Sequence, residues 1–191
     1  MDFKYGEVID MVYVTRHGET DWNLYGKVQG KADILLNSKG IEQAKETMVK
    51  LKEENIDFII CSPLNRARQT AEIINSEKNI PIIFDERISE RDFGEMEGMS
   101  KDDFDFQAFW NYEKNVTYEK AENIRVFFNR IFLFLDEIKK KYKDKNILLV
   151  THGGVSIAIN CYFNGVPESG ACLPLCIKNC EVKSFHFQIT Y

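Results

Sequence analysis

Two histidines in this chain stand where an apolar run gives way to glycine. His17 closes Val12-Tyr13-Val14-Thr15-Arg16 and is followed by Gly18, while His152 closes Leu148-Leu149-Val150-Thr151 and is followed by Gly153-Gly154. The 191 residues contain 3 histidines, so two of them share this setting. A neutral imidazole is a good nucleophile near neutral pH and can carry a phosphoryl group covalently. Arg16 and Arg66 suit the same substrate, because a guanidinium fork grips phosphate bidentately and phosphoryl transfer is catalysed mainly by positioning and charge stabilisation. Glycine beside each histidine would let the backbone approach phosphoryl oxygens closely. The leaving oxygen needs a proton, which a carboxyl group can supply before it activates water. Asp85, Glu86, Glu90, Asp92, Glu95 and Glu97 crowd one stretch, and spacing alone does not choose among them. Taken alone, a strand-end histidine is most often a hydrogen-bonded structural residue, so the chemistry depends on these groups converging.

The order of elements predicts that they do. Met11 to Thr15 reads as a buried strand, and Ser38 as the cap of a helix carrying Ile41, Ala44, Met48 and Leu51 on one face. Asp57 to Cys61 reads as a second strand running into Ser62-Pro63, a cap residue followed by proline at the first helical position, with helix from Leu64 to Asn75. Arg66 then lies near the first turn, where free amides also favour anions. Pro81 to Phe84 is a short strand, and Glu122 to Lys143 a long helix with Ile124, Phe127, Phe128, Ile131, Leu135 and Ile138 turned inward. Asn146 to Thr151 is another buried strand, followed by a helix from about Val155 to Tyr162, and Glu181 to Ile189 alternates as a last strand. This order predicts an α/β fold, a three-layer α/β/α sandwich with a mostly parallel central sheet. Open sheets of this kind place ligands at the carboxyl ends of their strands, which is where both histidines fall. No repeat or Gly/Ser/Pro-rich linker interrupts the chain, so 1–191 reads as a single domain with an insertion at about 99–120.

Composition narrows the partners. Hydrophobic residues at 44% and charged residues at 29% argue against disordered or collagen-like classes. A net charge of -5, with no basic stripe beyond Lys139-Lys140-Lys141, argues against nucleic acid. The first residues lack the apolar core of a signal peptide and no run reaches membrane-span length, which predicts a cytoplasmic protein that does not engage a membrane. The 5 cysteines, Cys61, Cys161, Cys172, Cys176 and Cys180, read as reduced, partly buried thiols rather than as disulfides or a zinc knuckle. Cys61 reads as a small core residue, Arg68 as a surface charge, His186 as structural or surface, and Glu19 as pairing with a backbone amide or arginine.

Four ordered motifs carry a resemblance across nearly the whole chain. They are Arg16-His17-Gly18-Glu19-Thr20 with Asn23 and Gln29-Gly30, Ser62-Pro63-Leu64-Asn65-Arg66-Ala67 within an SPLxRAxQTA pattern, Glu90-Arg91-Asp92-Phe93-Gly94, and Val150-Thr151-His152-Gly153-Gly154. The sequence resembles the histidine phosphatase superfamily, the phosphoglycerate-mutase-like proteins. That resemblance implies His17 as nucleophile, His152 as transition-state stabiliser, Arg16 and Arg66 as phosphate ligands, and Glu90, the acidic residue before Phe-Gly, as proton donor. It places Asn23, Gln29, Gly30 and Gly153 in the phosphate pocket, and implies neither metal nor cofactor. Ile88 replaces the usual Leu, and Gly153 sets the chain apart from the branch with an aspartate donor after the second histidine.

Within that family the residues favour a phosphomonoesterase that cleaves a small phosphorylated metabolite through a phosphohistidine. The runner-up is a phosphoglycerate mutase, which must hold a second anionic group. Glu90-Arg91 and Lys101 resemble the mutase pattern, but the insertion is short, acidic and without paired arginines. A non-catalytic phosphate-binding regulatory module is disfavoured because every reactive side chain is present. The aromatics Phe104, Phe106, Phe109, Trp110, Tyr112 and Tyr118 suit a substrate lid or packing for the long helix equally. Edge strands or the apolar terminal tail could pair subunits into a homodimer.

Overall fold

A computed structural model describes residues 11–187. The strands are β1 (Met11–Arg16), β2 (Phe58–Cys61), β3 (Ile82–Phe84), β4 (Ile147–Thr151) and β5 (Val182–His186), and the helices are α1 (Asp21–Leu24), α2 (Ser38–Lys50), α3 (Asn65–Asn75), α4 (Phe106–Phe109), α5 (Ile124–Lys141) and α6 (Gly153–Asn164). The sheet order is β3-β2-β4-β1-β5. All neighbours run parallel except β5, which pairs antiparallel with β1.

Alternation along the strands makes the layers. Val12, Val14, Ile60, Ile147 and Leu149 face one side with Phe127, Ile131 and Leu135 of α5 and Val155 and Ile159 of α6. Tyr13, Ile59, Cys61, Leu148 and Val150 face the other with Ala67, Ala71 and Ile74 of α3. Strands buried on both faces are near-continuous apolar runs for this reason. The chain therefore adopts the expected α/β fold with a mostly parallel central sheet.

Helix boundaries differ from the sequence expectation in instructive ways. Asn37, not Ser38, caps α2, its Oδ1 accepting from the Gly40 amide at 2.9 Å. The buried face of α2 is Gly40, Ala44 and Thr47, and Ile41 is 37% exposed, because the helix is pressed against its neighbours through its smallest side chains. Ser62-Pro63 does not begin α3. The helix starts at Asn65, whose amide and side chain both bond the carboxylate of Asp33, 2.8 and 2.6 Å away, so a remote acid satisfies the helix end in place of a local cap. Asn123 caps α5, which starts at Ile124, and α6 begins directly at Gly153 and runs to Asn164. Of the expected terminal strand, Val182–His186 pairs, while residues 188–189 lie outside the described residues. Among the described residues, no helix is long and apolar enough to cross a membrane.

Candidate active site

β1 and β4 lie side by side in register, Arg16 opposite Thr151, so the two histidines that follow them emerge together. Their ring centroids are 5.2 Å apart. His17 is tied to the neighbouring strand through its amide, which donates to the Thr151 carbonyl at 2.8 Å. Arg16, His17, Asn23, Gln29, Gly30, Arg66, Glu90 and Gly153 all line one cavity of about 90 Å³. His152 is fully buried and sits behind this lining, at the N-cap position of α6.

The polar contacts define what each group can do. His17 Nδ1 is 2.8 Å from the carbonyl oxygen of Gly18. A carbonyl only accepts, so Nδ1 carries the proton and Nε2 keeps its lone pair. Arg66 Nε donates to that Nε2 at 3.3 Å. Burial, followed by the charges of Arg66 and Arg16, holds the His17 pKa well below the ordinary 6.5, against the smaller opposing effect of the Gly18 bond. His152 is likewise held far below 6.5, by burial and then by Arg66, His17 and Arg16. Both rings are therefore neutral at rest.

Arg66 is more rigid than a free guanidinium. Nη1 donates to the Ala32 carbonyl and Nη2 to the Gly30 carbonyl, each at 2.7 Å, so the fork is anchored to backbone and Nε is the group presented to His17. Burial lowers its pKa to about 10, which leaves it charged at neutral pH. Arg16 is steadied by the Ile177 carbonyl at 3.3 Å and the Cys176 sulfur at 3.8 Å. Its Nε, Gln29 Oε1 and Trp110 Nε1 are buried without a hydrogen-bond partner among the described residues. Such orphans are uncommon in a folded chain, and three of them belong to residues lining this cavity. Glu90 accepts from the Arg91 amide with Oε1 and the Gly154 amide with Oε2, each at 2.9 Å.

Two glycines are required by close approach of neighbouring groups. A Cβ at Gly18 would run into the backbone of Gly40 in α2, and one at Gly154 would collide with Glu90 Oε1 and the Trp110 ring. Gly18 thus lets α2 pack against the strand end. Gly30 contributes its carbonyl to Arg66.

Several contributors have no local sequence signal. Asn179 Nδ2 donates to the His17 carbonyl at 2.8 Å and to Asn23 Oδ1 at 3.3 Å. With the Thr20 amide and hydroxyl also donating to that oxygen, the Asn23 amide is held with its NH2 group as the free donor. Ser62, expected to cap α3, instead has its Oγ 2.7 Å from His152 Nε2. Lys27 also lines the cavity, as do Lys101, Phe106 and Trp110, which the sequence singles out.

The 99–120 segment packs against the long helix and also forms part of the cavity wall. Phe109 and Trp110 are buried in the core with Phe127, while Phe106 and Trp110 also face the cavity. Arg91 is fully buried beneath them, its guanidinium 3.4 Å from the centre of the Phe109 ring, with Nε on the Glu122 carbonyl and Nη1 on the Phe109 carbonyl. The remaining residues are quieter. Cys61 is buried and its thiol pKa is pushed up by burial, Arg68 and His186 are exposed, and Glu19 pairs with Lys39 and Asn37 rather than an arginine or a backbone amide. The 5 cysteines are free, and among the described residues no three His, Cys, Asp or Glu side chains cluster as a metal site would need.

Comparison with known proteins places this arrangement. Residues 12–189 match the family model described as histidine phosphatase superfamily (branch 1). The chain is 38% identical over 173 residues to the "uncharacterized phosphatase PhoE" of Bacillus subtilis, covering 89% of this chain and 87% of that protein. It is 33% identical over 186 residues to the "probable phosphoglycerate mutase GpmB" of Shigella boydii, covering 93% and 85%. The solved structure of YhfR from Bacillus stearothermophilus superposes with a TM-score of 0.84 at 29% identity, over 92% of this chain and 90% of that one.

Proposed function

Because the chain belongs to the histidine phosphatase superfamily (branch 1), we propose that it is a cytoplasmic phosphomonoesterase that hydrolyses a small phosphorylated metabolite through a phosphohistidine on His17, without metal or cofactor. The observation that carries this reading is the state of His17: buried and neutral, with its proton committed to Gly18 and its Nε2 lone pair beside the cationic Arg66.

In the first step Nε2 attacks phosphorus and the P–O ester bond breaks, with Glu90 giving its proton to the departing alkoxide. In the second, Glu90 takes a proton from water, the oxygen attacks phosphorus, and the P–N bond returns its electrons to His17 as inorganic phosphate forms. Arg16 Nε, Arg66, the Asn23 NH2 group, the Gly153 amide and His152 stabilise the charge spread over the phosphoryl oxygens, where fixed donors in a buried site act most strongly. Gln29 and Gly30 border the same pocket. A cavity of about 90 Å³ suits a compact ester.

Arg91 favours hydrolysis over mutase chemistry. It belongs to Glu90-Arg91, one of the two points that resemble the mutase pattern, yet its Nε and Nη1 bond the Glu122 and Phe109 carbonyls under the aromatic segment, its buried Nη2 has no hydrogen-bond partner among the described residues, and it is not part of the cavity lining. The mutase remains the second reading because Lys27 and Lys101 do line the cavity and offer charge to a second anionic group. One panel separates the two: aryl and metabolite phosphates assayed with chelator at about pH 5 to 8, together with 3-phosphoglycerate and its bisphosphate. Phosphate release at rates far above isomerisation is the expected result, isomerisation without net release would favour the mutase, and no turnover with any substrate would leave a binding module.

A further inference from the structure

Ser62 follows β2 and is fully buried. Its Oγ lies 2.7 Å from His152 Nε2 and 3.4 Å from the amide nitrogen of Leu64. An amide can only donate, so Oγ accepts from Leu64, and among the described residues His152 Nε2 is the acceptor within reach of the hydroxyl proton. A buried hydroxyl makes the hydrogen bond open to it. With Nε2 as acceptor, the proton of the neutral His152 ring sits on Nδ1, which is buried and has no hydrogen-bond partner among the described residues. His17 is the same tautomer but is held by its other nitrogen, with Nδ1–H bound to Gly18 and the unprotonated Nε2 facing Arg66 Nε. Two neighbouring imidazoles thus present opposite chemistry, a lone pair from His17 and an N–H from His152.

We propose that Ser62 is a positioning residue that holds His152 as the Nδ1–H tautomer, so that the second histidine meets the phosphoryl group as a hydrogen-bond donor. Its use in catalysis rests on the phosphomonoesterase reading; the tautomer itself rests on the resting geometry alone. Serine also suits the charged state. If phosphoryl charge draws a second proton onto the ring, the hydroxyl can rotate and accept from Nε2–H, whereas alanine supports neither state.

The direct test is nitrogen-15 NMR of the histidine rings in the full chain without phosphate. His152, assigned by the loss of its signals in His152→Gln, should show a protonated Nδ1 and a bare Nε2. A bare Nδ1 would overturn the proposal. In Ser62→Ala the His152 ring should shift toward the Nε2–H form while His17 is unaltered, and an unaltered His152 tautomer would likewise overturn it. Kinetically, Ser62→Ala should lower kcat about 10–100-fold with KM changed less than about threefold, and Ser62→Thr, which keeps the hydroxyl, should recover most of the loss. Equal kcat in native and Ser62→Ala enzyme would overturn the catalytic part. Failure of the phosphatase reading is seen separately, as absence of a covalent phosphate on His17, and leaves the ring measurement intact.

Discussion

The carboxyl ends of β1 and β4 with Arg66 of α3, and the segment 99–120, border the same cavity, but different forces hold them. At the strand ends each reactive group is fixed by directional bonds to backbone or buried side chains: His17 by Gly18, Arg66 by Gly30 and Ala32, Asn23 by Thr20 and Asn179. Across the cavity, Phe104 meets Phe106, Phe109 and Tyr118 edge-on, Trp110 meets Phe106 and Phe109 likewise, and Arg91 is buried against Phe109 and Trp110. Hydrogen bonds specify angles, as in-line chemistry requires, whereas aromatic packing tolerates changes of shape. The strand-end side of the cavity is thus held at defined angles, and the opposite wall by packing.

The comparison breaks if strand-end substitutions fail to separate chemistry from stability. His17→Ala should lower kcat at least about 10³-fold and abolish the acid-labile covalent phosphate, while the melting curve stays cooperative. Persistence of the phosphoenzyme would remove His17 from its role. Glu90→Gln should slow alkyl phosphates by about 10²–10⁴-fold and aryl phosphates, whose leaving groups need little protonation, much less. Equal losses on both would show that Glu90 is not the proton donor.

Substitution across the cavity should do the reverse. Arg91→Ala removes two bonds to buried carbonyls and the stacking on Phe109, with part of the loss offset by relief of a buried charge. A net cost of about 2–4 kcal/mol in urea unfolding is expected. An unchanged midpoint would show that Arg91 does not hold this wall.

The smallest effect expected is one of pH. Both active-site histidines are neutral when folded, with pKa values well below 6.5, and titrate near that value when unfolded. Below about pH 6.5 the unfolded chain therefore binds more protons, and stability present above that pH is lost progressively as pH falls. Thermal melts at falling pH should show this, and His17→Ala should show a shallower slope. Identical slopes would mean that His17 is not buried neutral.

Much of this arrangement was legible in local residue order. The apolar runs before His17 and His152 are strands because both sheet faces are covered, and the periodic face of α5 is buried as its spacing predicts. Where local pattern failed, a distant partner had taken over. Asp33 replaces Ser62 at the start of α3, freeing Ser62 for His152, and Gly40 explains Gly18. Asn179 reaches His17 and Asn23 across more than 150 positions of chain, beyond any spacing rule.

The sequence by itself determined the family, the alternation of elements and the candidate reacting groups, because strand and helix periods and strand-end motifs are local. Only the tertiary structure decided which partner each histidine nitrogen meets, that Arg91 is turned from the cavity into the core, and that residues 99–120 serve as both core and wall. Those outcomes depend on which donors and acceptors meet once the chain is closed, and no local pattern contains that information.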